Sequence, residues 1–194
     1  DAGPILMRVK KSIEVNNPTI DEITSVNIGL SNDLLEQFLD RIINHEVFIP
    51  ETQDIDSGIY MPQPYTEING FIDWKWKVQH IESFIRAFGQ PMPGAATFYK
   101  NREIKILESF IENIDIEFHP LYFGRIVNIT QEGFAKIATQ GGLLVVTKIM
   151  VDGCEIIPGE QLKAPNVLYT PFDVLERARI EDKNSLQMLP PASH

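Results

Sequence analysis

The segment Gln90-Pro91-Met92-Pro93-Gly94 divides this chain. Proline fixes φ and has no N–H to donate, so neither a helix nor a central strand passes through two prolines one residue apart. The stretches on either side must form separate elements, and their apolar periods differ. Before the bend, Trp76, Ile81, Phe84, Ile85 and Phe88 recur at helical spacing. They predict a helix over 75–88, capped by Asp73 and ended by Gly89. After the bend, 95–161 reads as β. Predicted strands 96–100 and 104–110 flank Asn101-Arg102, which resembles a two-residue hairpin turn. Strands 124–130 and 134–139 flank Gln131-Glu132-Gly133, and 143–151 follows Gln140-Gly141-Gly142. About five short strands with glycine-bearing turns predict a small barrel or sandwich.

The N-terminal part is simpler. Residues 4–14 are rich in Ile, Leu, Val and Met and read as a strand. Thr19-Ile20-Asp21-Glu22 has the form of a capping box, and the helix it starts is expected to pause near Gly29. A second run over 32–44 places Leu34, Leu35, Phe38, Leu39, Ile42 and Ile43 on one face, which predicts a core stripe. Pro50, Gly58, Pro62 and Pro64 make 50–70 an extended connector without a regular element. A short helix is expected over 171–179, with proline at its first turn.

Charge and composition narrow the function. With 17 basic and 27 acidic residues the chain carries −10, which disfavours nucleic acid as a partner, because phosphate backbones are bound mainly through Lys and Arg. Cys154 is the single cysteine, so no internal disulfide forms and a reducing, cytoplasmic compartment is expected. No stretch is apolar for long enough to cross a bilayer, so no membrane partner is expected. His45, His80, His119, His194 and Cys154 share no metal-ligand spacing, so no metal is expected. Gly141-Gly142 reads as a hairpin turn rather than a phosphate loop. Trp74 and Trp76 read as rings that bury a helix, and Arg86 as a structural partner of a carboxylate. The apolar run beginning at Ile5, so close to an Asp rather than a Met, reads as the interior of a longer chain.

Three stretches in fixed order resemble the folate-dependent formyltransferase family, which includes methionyl-tRNA formyltransferase and the sugar N-formyltransferases. They are Asp1-Ala2-Gly3-Pro4-Ile5-Leu6; Gly70-Phe71-Ile72-Asp73-Trp74; and Ile85-Arg86-Ala87-Phe88 followed by Pro91-Met92-Pro93-Gly94-Ala95. Gln53 and Tyr60 also stand where family members commonly have Gln and Tyr. The resemblance covers residues 1–161, and its second and third stretches are its most specific part.

The resemblance implies an α+β architecture. Residues 1–49 would be the C-terminal remnant, strand plus helix, of a Rossmann-like formyltransferase domain. Residues 50–93 would be a linker with one helix, 94–165 a small open OB-like β-barrel, and 166–194 a tail with a short helix. It implies a 10-formyltetrahydrofolate-dependent transfer of a formyl group to an amine, with a catalytic Asn and His upstream of this chain. Of the family's catalytic residues only Asp1 carries over, and Gly3 lies beside the folate site. The chain alone is therefore expected to transfer no formyl groups, though the intact parent would.

The resemblance does not fix the amine. Residues 95–165 hold seven basic and nine acidic residues. That balance favours a small-molecule amine, such as an amino-sugar nucleotide, over tRNA. Methionyl-tRNA formyltransferase is the alternative, and a non-catalytic OB-like binding module is a third reading. Oligomeric state is left open, a homo-oligomer included.

Overall fold

The computed structural model describes residues 3–13, 18–54, 58–59, 61–62, 64–112 and 116–181. The chain divides into two compact units, Asp1–Met61 and Pro62–His194.

Among its described residues the first unit is built on one helix, α1 (Ile20–Ile43). Its start is the expected capping box: Thr19 Oγ1 accepts from Glu22 N at 3.2 Å, and Glu22 Oε2 accepts from Thr19 N at 2.8 Å. The pause expected at Gly29 is absent, and the helix runs unbroken. Ser31 satisfies its hydroxyl by donating to Asn27 O at 2.8 Å, and a glycine in an exposed helix costs only about 1 kcal/mol. The stripe expected to be core is not buried. Leu34 and Phe38 are half-covered, while Ile43 is 70% exposed. The expected strand over 4–14 also reduces, in its described residues, to one antiparallel bridge between Ile5 and Glu51. Few other backbone partners are available to it.

The second unit combines helices with a curled antiparallel sheet. A short helix, α2 (Thr66–Asn69), interrupts the connector that was expected to hold no regular element. Asn69 makes it possible: its Oδ1 accepts from Tyr65 N at 2.5 Å. Asp73 Oδ1 accepts from Lys75 N at 2.9 Å, but this caps a turn, and the helix α3 (Val78–Ala87) begins later, with Lys77 at its N-cap. The bend follows, then β1 (Ala95–Tyr99) and β2 (Arg102–Glu112). Their hairpin turn is Lys100-Asn101, one residue before the expected pair. Both residues have positive φ, 50° and 64°, as a tight turn matching strand twist requires. Asn101 accepts a hydrogen bond from the Tyr169 hydroxyl at 2.5 Å, which holds it there.

Further strands are β3 (Ile126–Ile129), β4 (Ala135–Thr139), β5 (Gly142–Val151), β6 (Cys154–Ile156) and β7 (Leu168–Tyr169), and the helix α4 (Phe172–Ile180) follows. The order is β3-β4-β5-β2-β1-β7, with β6 paired to β5. Irregular register at Leu107 of β2 and Thr147 of β5 bends the long central pair. The sheet curls until its two ends meet. Arg125 bridges Val167, Ile126 N donates to Asn166 O at 2.9 Å, and Leu168 N donates to Gly124 O at 2.8 Å. Gly124 permits that crossing: its φ is +82°, and a Cβ there would lie 2.2 Å from Leu168 O.

The core lies inside the curl. Val78, Ile81 and Ile85 of α3 are buried against β2 together with Ile106, Ile126, Ile137, Leu144 and Ile149. Each such side chain contributes about 1.5–3 kcal/mol by leaving water. Trp74 is buried with them, and Trp76 packs edge-on to Phe84 at 5.1 Å, so both rings serve burial as expected. Among the described residues no helix is long and apolar enough to cross a membrane.

Candidate functional site

The residues singled out in the sequence fall in two places, one in each unit. In the first, Asp1 lies outside the described residues, as does Tyr60. Gly3 is described and exposed. Its carbonyl accepts from Gln53 Nε2 at 2.5 Å, so two motif positions 50 residues apart are joined. The Ile5–Glu51 bridge, with backbone hydrogen bonds of 2.8 and 2.9 Å, and an Arg8–Glu51 ion pair at 3.0 Å continue this clasp. A Cβ at Gly3 would meet nothing within 4 Å among the described residues, so the backbone is open on that side. Beside it, Leu6 and Met7 face Leu34, Leu35 and Phe38 of α1 across an apolar groove of about 560 Å³.

In the second unit the motif residues prove to be structural. Ile72 is fully buried, and Trp74 Nε1 donates to Thr97 Oγ1 at 2.9 Å. A buried indole N–H needs such an acceptor. Thr97 passes the contact on by donating to Tyr169 O at 3.1 Å, and Thr170 Oγ1 donates to Ile72 O at 2.6 Å. The Ile-Asp-Trp stretch is thus fastened to β1 and β7. Gly94 has φ +95°, and a Cβ there would lie 2.7 Å from Leu107 Cδ2, so the turn after Pro93 needs glycine. Arg86 Nη1 lies 3.5 Å from Glu82 Oε1, the carboxylate partnership expected of it.

Sequence reasoning missed Asn69, whose Nδ2 donates to Ala178 O at 2.6 Å and Glu181 O at 2.8 Å, tying α4 back to α2. It also missed Thr97 and Gly124. An asparagine just before Gly70 was the available signal for the first; nothing local marked the others.

The sheet's cations are largely engaged. Lys148 Nζ lies 2.6 Å from Glu108 Oε1, Lys136 Nζ 2.7 Å from Glu112 Oε2, and Arg102 pairs with Asp152. Lys100 sits over the Tyr99 ring at 5.3 Å and Arg125 over Tyr122 at 5.6 Å. Within 95–165, Lys105 and Lys163 have no carboxylate within 4 Å among the described residues. The hydrogen bond that Lys148 donates to Glu108, and then the charge of that carboxylate, holds the ammonium above the ordinary lysine pKa. A hydrogen bond from its own backbone N–H, then one from the Thr130 hydroxyl, holds Glu132 below the usual carboxylate value. No group of acidic, histidine or cysteine side chains suited to a metal ion occurs among the described residues.

Residues 65–165 match the family model for the formyl transferase C-terminal domain. Methionyl-tRNA formyltransferase from Rickettsia typhi is 30% identical over 169 residues, covering 87% of this chain and 52% of that protein. The enzyme of the same name from Clostridium tetani is 27% identical over 149 residues, covering 77% of this chain and 46% of that protein. The chain therefore spans about half the length of the curated relatives it matches. Among solved structures, a variant of HypX from Aquifex aeolicus superposes with a TM-score of 0.57 at 17% identity, over 84% of this chain and 29% of that one. At that identity the likeness concerns the fold.

Proposed function

The chain belongs to the formyl transferase family through its C-terminal domain, and on that premise we propose that it is part of a 10-formyltetrahydrofolate-dependent N-formyltransferase acting on methionyl-tRNA. The observation that carries this reading is the run of relatives named methionyl-tRNA formyltransferase, aligned over 77–87% of the chain. They favour tRNA over the small-molecule amine that the charge count suggested. Net charge is a weak guide here because phosphates are held by local cations, and among the described residues no carboxylate neutralises Lys105 or Lys163.

Residues 1–49 are the end of a Rossmann-like catalytic lobe in this reading, and the curled sheet is OB-like. The exposed apolar stripe of α1 supports the first point, since an isolated helix has no reason to carry one. Formyl transfer needs a deprotonated amine to attack the formyl carbonyl, and donors for the oxyanion that develops. Asp1 supplies a carboxylate that orients a histidine and assists proton removal. Gly3, held by Gln53 and open on its free side, lets the folate approach the backbone. The parent works in the cytoplasm.

The test is an assay of the whole protein containing this chain, with 10-formyltetrahydrofolate and either methionyl-tRNA or an amino-sugar nucleotide. Formylmethionyl-tRNA is the expected product. Formylation of the amino sugar alone, or of neither, overturns the proposal.

A further inference from the structure

A second cavity, of about 590 Å³, opens in the Pro62–His194 unit where the start of α3 meets the Gln140-Gly141 turn and the 117–123 segment. Its walls are fixed from behind. Val78, fully buried, donates its N–H to Gln140 O at 2.9 Å, and Lys77 bridges Gln140. The 117–123 segment is held by the Pro120–Tyr122 turn, where Leu121 N donates to His119 Nδ1 at 3.2 Å, and Phe123 rests on the core. The cavity is therefore formed before any ligand arrives, and its volume lies in the range of small-molecule sites.

Its lining is chemically mixed. Phe118 and Phe123 offer rings, Gln79 and Gln140 carboxamides, Lys77 an ammonium and Glu117 a carboxylate. Among the described residues none of these four polar side chains has a hydrogen-bond or ion-pair partner. Rings alone would suit any flat apolar molecule. The four polar groups around them are exposed and free to exchange water for a ligand; two carboxamides, one ammonium and one carboxylate suit a ring edged with donors and acceptors.

We propose that this cavity binds one nucleotide unit whose base carries an exocyclic amine, presented either free or within an RNA strand. Base faces stack on aromatic side chains. A glutamine carboxamide pairs with an acceptor and an adjacent amine on a base edge, and a glutamate accepts from an exocyclic amine. Lys77 takes the phosphate. The site stands whatever the amine acceptor of the formyl group is.

Titration of the full ¹⁵N-labelled chain with AMP, UMP, inorganic phosphate and tRNA, followed by NMR, tests it. AMP is expected to shift the backbone amides of Lys77, Gln79, Gln140 and Gly141 saturably, UMP more weakly, and phosphate not at all. Phe118→Ala is expected to weaken AMP binding roughly fivefold or more, the low end of what one stacking ring contributes. Exposed Gln140→Ala, which leaves the fold alone, should erase the preference for AMP over UMP. Displacement of AMP by tRNA identifies a strand as the source; its retention identifies a free nucleotide. No shift at those amides with AMP or tRNA, phosphate reproducing the AMP shifts, or both variants binding AMP unchanged overturns the proposal.

Discussion

Replacing Gly124 by alanine is expected to undo the closure of the curled sheet. Two separate penalties apply. The φ of +82° is left-handed, which costs a residue with a Cβ roughly 1–2 kcal/mol. The new Cβ would also stand 2.2 Å from Leu168 O, against about 3.3 Å for a close carbon–oxygen approach. Relief needs a shift of roughly 1 Å, more than the 2.8 Å hydrogen bond from Leu168 N to Gly124 O can absorb and remain a bond. Losing that bond and its neighbour from Ile126 N to Asn166 O leaves buried groups unpaired, at about 1–3 kcal/mol each. The expected loss is about 3–8 kcal/mol, or roughly 6–32 °C in Tm at about 2–4 °C per kcal/mol for a chain of this size.

Gly153 and Gly141 are the controls. Their φ values, +79° and +85°, nearly match that of Gly124, but a Cβ at either meets nothing within 4 Å. Gly153→Ala and Gly141→Ala therefore carry the backbone penalty alone, roughly 1–2 kcal/mol. Both tryptophans, Trp74 and Trp76, belong to the second unit, so their fluorescence during thermal or urea unfolding reports that unit specifically. If Gly124→Ala melts together with Gly153→Ala, the Arg125–Val167 closure contributes nothing and this account of the sheet is wrong.

Thr97→Val removes the hydroxyl shared by Trp74 and Tyr169 and is expected to destabilise by about 2–4 kcal/mol, read from urea midpoints. Ile81→Ala, at a fully buried α3 position, should cost about 2–5 kcal/mol by the same measurement. Asn69→Ala should speed amide exchange across α2 and α4 while leaving β2 and β5 protected, because the bonds it removes, to Tyr65, Ala178 and Glu181, involve neither strand. For Lys148 the folded pKa is raised. Its contribution is present below the ordinary lysine pKa of about 10.4 and is lost as pH rises through the higher folded value. Glu108→Gln should therefore lower Tm slightly at pH 9 and converge with the parent at strongly alkaline pH; a gap that persists there refutes the pairing.

What could be read from the sequence was whatever short-range chemistry controls. The capping box at Thr19 and Glu22, the bend at Pro91-Met92-Pro93, the α3 stripe and most strands of the sheet were visible because each depends on residues a few positions apart. Of the candidate site, the motif order was legible, while the roles of Ile72, Trp74 and Gly94 as fastenings of the fold needed coordinates. One local signal was overlooked. Asp152-Gly153, both with positive φ, turns the chain into β6 much as an Asp-Gly pair between apolar runs should.

Other features were decided by contacts across long stretches of chain. Strand β7 is two residues long and carries no pattern of its own; it exists because β1 and the Gly124 crossing present partners to it. Asn69 reaching α4, Gln53 holding Gly3, and Lys77 meeting Gln140 at the mouth of a cavity are of the same kind. Periodicity records which face of an element is apolar, because that is fixed by backbone geometry. It does not record which distant segment meets that face, because loop closure and side-chain fit are settled only when the whole unit folds.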